Sequence, residues 1–232
     1  MVKYIEKIIS ILKKDREYKI NSDYNNIELF TVLYIRFMQI CRGMYLKIWI
    51  NSKGIVFCGR NVRIEHGYHL STGKNIIIEN NVFLSALSQN GIILGNNVTI
   101  GKQSIITCTG VISNKGVGIC IGNNSAIGAQ SFLGGQGGIK IGNDVIIGPQ
   151  VKIFSENHNY NKLLVEIRKQ GVNRKGVTIH DNCWIGAGST ILDGVELGSG
   201  CVIAAGSVVT KSFPSNSVIA GVPARILKYR HE

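Results

Sequence analysis

Aliphatic residues recur at every sixth position through the second half of this 232-residue chain. Ile179, Ile185, Ile191, Leu197, Ile203 and Val209 form the longest run. The same beat runs earlier through Ile141, Ile147 and Ile153, through Ile121, Ile127 and Leu133, and through Leu94, Ile100 and Ile106. Glycine often follows the aliphatic, as at Gly95, Gly122 and Gly186, and a small or β-branched residue stands four positions after it, as at Ser125, Val145 and Cys183. A helix needs a period of about 3.6 and a flat strand one of about 2, so six suits neither alone. It suits a short strand followed by a tight bend. Three such units close a triangular coil, and Ile179 then stacks on Leu197, and Cys183 on Cys201, at a strand spacing of roughly 4.8 Å. The pattern specifies an all-β solenoid, a parallel β-helix. A sandwich would place strands every ~8–12 residues without holding this phase. The asparagines after glycine (Asn96, Asn123, Asn143) suit turn and left-handed conformations.

The beat divides the chain. Residues 1–53 precede it and read as a helical segment, residues 54–211 as the solenoid, and 212–232 as a closing tail. Residues 1–20 form an amphipathic helix with Tyr4, Ile5, Ile8, Ile9, Ile11 and Leu12 on its apolar side. A second helix over 26–50 is strongly apolar, with Arg36, Gln39, Gly43 and Lys47 on one narrow face and Arg42 close by. Its cations argue against a membrane span. Two arrangements remain, packing on the solenoid or lying in a membrane interface, and packing is the expectation. Early coils are irregular, with Val62, Ile64, Leu70, Ile76, Ile78 and Leu84 as inward candidates; regular coils run from 94 to 153. Residues 154–178 then interrupt the beat as a single projecting loop. A long loop on a rigid scaffold is where function concentrates.

The formal net charge is +12. Residues 1–75 hold 13 Lys and Arg against 6 Asp and Glu, and 162–175 add Lys162, Arg168, Lys169, Arg174 and Lys175 against Glu166. Without a nucleic-acid motif or an aromatic platform, this charge points to an anionic cofactor or a weak attraction to an anionic membrane surface, and away from nucleic acid. The six cysteines are scattered; Cys183 and Cys201 read as a reduced stacked pair. No His/Cys spacing suggests a metal site. The N-terminus mixes charge and apolar residues from the start, so no secretory signal is expected; the expected location is the cytoplasm, with peripheral association at the inner face of the membrane left open.

The beat, the loop opening on Asn157-His158, the re-entry VTIHDNCWIGAGSTIL and the tail VIAAGSVVTKSFPSNSVIAGVPARIL resemble the hexapeptide-repeat acyltransferases, nearest the galactoside, maltose and polysaccharide O-acetyltransferases. The likeness covers about residues 55–228 and omits the first fifty. It implies a left-handed β-helix, a homotrimer with sites between subunits, and acetyl-CoA as acyl donor. It places the general base on His158. The chemistry asks for such a group, because a neutral imidazole takes the proton of a sugar hydroxyl as the oxygen attacks the thioester. A backbone N–H would steady the oxyanion.

By the same likeness the cofactor lies along Ala187, which follows Trp184-Ile185-Gly186, and Ala205, with Trp184 walling the thioester. Thr210 and Lys211 lie further along, and Arg225 and Lys228 meet the phosphates. For the carbohydrate acceptor the candidates are Gln136, Gln130, Glu156 and Asn157; an asparagine of the galactoside enzymes falls on Gly128 here. Glu156 or a main-chain carbonyl would orient His158. His180 should point outward from a corner. Three readings stay open: O-acetylation of a sugar in surface polysaccharide or glycolipid synthesis, N-acetylation of an amino sugar or antibiotic, and a non-catalytic trimeric scaffold.

Overall fold

The structure, a computed structural model, describes residues 2–13, 19–20 and 23–231. Short parallel strands wind into a left-handed β-helix with three faces. Face A runs from Asn51–Ser52 through Ile119–Ile121 and Ile139–Ile141 to Glu196–Leu197. Face B starts at Val56–Cys58 and passes through Ala126–Ile127, Ile146–Ile147 and Trp184–Ile185 to an end hairpin, Ser217–Gly221 with Ala224–Tyr229. Face C runs from Arg63–Glu65 through Phe132–Gly134 and Lys152–Phe154 to Val208–Val209. Equivalent aliphatics stack as expected: Ile127 on Ile147, Ile147 on Ile185, Ile185 on Ile203. All four are buried, in one core that runs from Ile50 to Ala224. The solenoid begins at Asn51, slightly before the expected residue 54. Val62 and Ile64 are only partly buried against the core, whereas Leu70, Ile76, Ile78 and Leu84 are fully inside.

Side-chain ladders hold two of the three corners. At the A–B corner, Asn97, Asn124 and Asp144 take the left-handed conformation and bond in sequence across coils. This corrects the expectation that Asn96, Asn123 and Asn143 adopt it. Those side chains instead accept from backbone N–H groups of the neighbouring coil, Asn123 from Asn96 and Asn143 from Asn123. At the B–C corner a matching ladder joins Gln103, Gln130 and Gln150.

The coil length expected from the beat, eighteen residues, holds only late, where Trp184 pairs with Val202. Earlier, Ala126 pairs with Ile146, two residues further on than a strict beat allows. The surplus collects at one place, the C–A corner, where segments 65–69, 85–91, 108–118, 134–138 and 155–176 lie on successive coils. Segment 108–118 is a second projecting loop, so the expectation of one loop and of regular coils from 94 to 153 is corrected.

The N-terminal helices are α1, Val2–Lys13, and α2, Asn26–Leu46. Of the expected helix over 1–20, residues 14–18 lie outside the described residues, and 19–20 are not helical. In α1, Ile5 is buried and Ile11 exposed; the side chains of Tyr4, Ile8 and Leu12 lie outside those described. A capping box starts α2: the Asn25 side chain accepts from the Ile27 and Glu28 N–H groups, and the Glu28 carboxylate accepts from Asn25 N–H. The helix ends in a turn at 47–49, short of residue 50.

α2 does pack on the solenoid, with Arg36, Gln39 and Gly43 of the polar strip inward and Lys47 exposed. Gln39 and Gly43 are buried against the first coil. Arg42 Nε donates to the carbonyls of Cys58 and Gly59 at 2.8 and 3.0 Å, and Arg36 pairs with Glu79 at 3.2 Å. The first coil has no preceding coil to stack on, and these donors satisfy part of its exposed rim. Gly43 makes the approach possible, since a Cβ there would lie 1.7 Å from the Val56 carbonyl oxygen.

Candidate active site

The C–A corner is built from main chain that stacks despite its insertions. Gln89 N–H donates to Gly116 O at 2.8 Å, and Val117 N–H to Gln136 O at 3.0 Å. Ser155, fully buried, donates to Gly134 O at 2.6 Å and accepts from Gly137 N–H at 2.9 Å. From this base the long loop rises as an antiparallel strand pair, with Asn157 opposite Asn173 and His158 opposite Val172. His158 is exposed on that pair.

One residue below, Glu156 and Arg174 close the foot of the pair. Arg174 Nε donates to Glu156 Oε2 at 2.6 Å, and both side chains are largely buried. The remaining arms of the same guanidinium reach the short loop: Nη1 donates to Asn114 Oδ1 at 2.8 Å and to Lys115 O at 3.2 Å, and Nη2 to Asn114 O at 3.2 Å. Arg174 therefore ties the two loops together beside His158. Its planar fork serves four acceptor atoms at once, one more than the three N–H donors of a lysine could. Asp193 pins the loop's return by accepting from the N–H groups of Lys175 and Gly176 at 2.9 and 2.8 Å.

The acceptor candidates separate. Gln136 shares the His158 corner, on the coil below, whereas Gln130 stands in the B–C ladder with its amide engaged on both sides. The Glu156 carboxylate is taken by Arg174. Gly128 can hold no side chain, since a Cβ would come within 2.3 Å of the Gly148 carbonyl carbon. Sequence reasoning counted Arg174 only as charge and missed Asp193; neither has a local signal, because their partners lie on other loops or coils.

The cofactor candidates gather on the late coils. Ala187 and Ala205 are exposed on the B–C corner, where the Gly206 N–H donates to Ala187 O at 2.8 Å. Beside them, a Cβ built on Gly188 or Gly206 would meet nothing within 4 Å, so the corner is open. That opening suits a thin chain lying along the backbone. Gly186 serves stacking instead, since a Cβ there would meet Ala205 N at 2.5 Å. Trp184 is exposed on face B; Thr210 and Lys211 follow the last face C strand, and Arg225 and Lys228 lie on the end hairpin. Within one chain, His158 and this corner sit at opposite ends of the face C strands.

Elsewhere, His180 points outward as expected, its Nε2 2.8 Å from Glu196 Oε1. It lines a hollow of about 650 Å³ with Ser212 and Phe213 that holds none of the candidate residues. Cys183 and Cys201 are both free thiols. Contact with Cys201, together with burial, pushes the Cys183 thiol up.

Residues 176–211 match the bacterial transferase hexapeptide model, described as six repeats. The late coils are thus similar to the hexapeptide-repeat transferases. The chain is 42% identical over 89 residues to a galactoside O-acetyltransferase of Lactococcus lactis, a stretch covering 38% of the chain and 42% of the relative. It is 37% identical over 102 residues to the putative lipopolysaccharide biosynthesis O-acetyl transferase WbbJ of Escherichia coli, covering 40% and 52%. It spans about half the length of the curated relatives it matches. Among solved structures, a mutant of the Bacillus cereus N-acyltransferase AntD, in complex with dTDP-4-amino-4,6-dideoxyglucose and coenzyme A, shares the fold. That likeness has a TM-score of 0.54 at 19% identity, over 92% of this chain and 93% of the other.

Proposed function

We propose that this protein is an acetyl-CoA-dependent O-acetyltransferase acting on a sugar hydroxyl in surface polysaccharide or glycolipid synthesis, working as a homotrimer in the cytoplasm. The observation that carries the reading is the C–A corner. The chain's insertions collect there, and the longest of them holds an exposed imidazole, His158, on a strand pair braced by Arg174 and Glu156. Both O-acetyltransferase relatives above support the class of reaction. Acetyl-CoA supplies an activated acyl group. His158 takes the hydroxyl proton as the oxygen attacks the thioester carbonyl; the C–S bond then breaks and coenzyme A leaves as its thiol, taking up that proton, so no acyl-enzyme is needed. Ala187 and Ala205 hold the pantetheine at the open corner, Trp184 flanks it, and Thr210, Lys211, Arg225 and Lys228 supply donors and cations for the nucleotide end. Gln136 and Asn157 meet the acceptor. Because His158 and the open corner of one chain face different ways, a complete site takes His158 from one copy and the corner from another.

The test is thiol release from acetyl-CoA with a panel of glycans bearing hydroxyls but no free amines. The expected result is acceptor-dependent release that falls about 10²–10⁴-fold in His158→Ala while coenzyme A still binds. Near-normal turnover by that variant would remove His158 from the role. Turnover only on amine acceptors would move the reading to N-acetylation.

A further inference from the structure

The second helix is turned the opposite way from an ordinary amphipathic surface helix. Its polar strip is spent on the solenoid, where Gln39 and Gly43 are buried and Arg36 and Arg42 bond to the first two coils. Its opposite face presents Phe30, Phe37 and Met44, 61–67% exposed, and continues into Trp49 beyond the helix end. An apolar surface of this length is a docking face rather than ordinary surface. No described helix is long and apolar enough to cross a membrane.

The charges around the face choose the occupant. Arg60 and Lys102 line one hollow with Tyr34, Ile35 and Met38 of the helix, and the one carboxylate lining it, Glu79, already pairs with Arg36. Lys47 and Lys53 flank Trp49 in sequence. Among the described residues these four cations have no recorded ion pair. Glu28, the only carboxylate within the helix, is held in its cap. A second copy docking on this face would bring the same cation rim against its own, whereas anionic headgroups would meet it with opposite charge while Phe37 and Trp49 enter the acyl boundary. Tryptophan and tyrosine suit that depth, one side apolar and one polar.

We propose that the outward face of α2 is a docking surface for an anionic lipid bilayer, which it meets lying flat, with Arg60 and Lys102 at the headgroup phosphates. The inference is independent of the acetyl-transfer reading. The test floats the intact protein with vesicles of phosphatidylglycerol and phosphatidylcholine, and with phosphatidylcholine alone. Flotation with the anionic vesicles, weakened by salt and at least tenfold lower with neutral ones, is the expected result. The double variant Phe37→Ser/Trp49→Ser keeps the net charge and should lose flotation at least tenfold. That loss separates insertion from adhesion by overall positive charge. Arg60→Glu/Lys102→Glu, which leaves the apolar face intact, should lose binding to the anionic vesicles and serves if the first variant misfolds. Absence of flotation at low salt would overturn the proposal, as would full binding by the folded Ser variant. So would a change in oligomeric mass in the Ser variant when the parent does not float, because the face would then join copies of this chain.

Discussion

Arg174 does the work of several residues, because one guanidinium neutralises Glu156 and donates to three groups of the short loop. Arg174→Ala would leave a largely buried carboxylate without its cation and release both loops. The expected cost is about 1–3 kcal/mol of stability, since an unpaired buried charge loses its compensation. Cleavage within 108–118 by limited proteolysis should quicken and acetyl transfer should fall, with coenzyme A binding unchanged; intact protection of that loop would contradict the clamp.

Buried thiols set a second expectation at the same scale. Burial pushes the Cys108 thiol up from 9.0 to about 12, with a Ser88 hydrogen bond opposing, and burial raises Cys58 in the same direction. An unfolded chain ionises these thiols near 9 while the folded chain keeps their protons. The stabilisation is therefore complete below pH 9 and is lost progressively as pH rises from there towards the folded value. For Cys108 the gap corresponds to an upper limit on the order of 4 kcal/mol. Urea midpoints should fall between about pH 8 and pH 10.5, and fall less in Cys108→Ala; an equal fall would remove Cys108 as a source.

Among elements, the strands were legible and the joins between elements were not. The aliphatic beat reports inward positions directly, because every sixth residue must enter one core. Segment 108–118 escaped because Ile106 and Ile121 each look like ordinary members of the beat, and nothing local marks a loop that stacks on its neighbours through main-chain bonds. The orientation of α2 escaped for a related reason. A helix wheel says which face is apolar, but the rim of an end coil needs donors, and that requirement lies in residues 58–59 and 79, far along the chain. Gly43 marks the contact. Gly43→Ala suits a free helix but would place a Cβ 1.7 Å from the Val56 carbonyl oxygen, so the helix must shift away. Hydrogen exchange across 26–46 should quicken in this variant while the late coils keep their protection. Unchanged exchange in α2 would mean that the helix does not dock through Gly43.

Across the whole molecule, the fold and the location of the loop bearing His158 could be read from sequence, while the bracing of the site could not, since Arg174 and Asn114 are sixty positions apart. The single chain also leaves surfaces that a solenoid of this kind has reason to cover. Ile112, Leu163 and Leu164 at the loop tips are 96–101% exposed, and Ile146 and Trp184 stand side by side on face B at more than half exposure. These groups belong to the same regions as the two proposed half-sites, the His158 loops and the late coils. Assembly that brings the loops of one copy over the late coils of the next would bury the tips and complete the site in one step. Light scattering at micromolar concentration should therefore give three times the 25.3 kDa chain mass. Leu163→Asp/Leu164→Asp should shift the population to monomer and reduce acetyl transfer. Mixing His158→Ala with Ala205→Trp, which blocks the open corner, separates the two half-sites: one chain lacks the imidazole and the other the corner, and a hybrid trimer with at least one intact pairing of loop and corner should recover part of the activity. A trimeric, fully active Leu163→Asp/Leu164→Asp protein would place the subunit contact elsewhere on the solenoid.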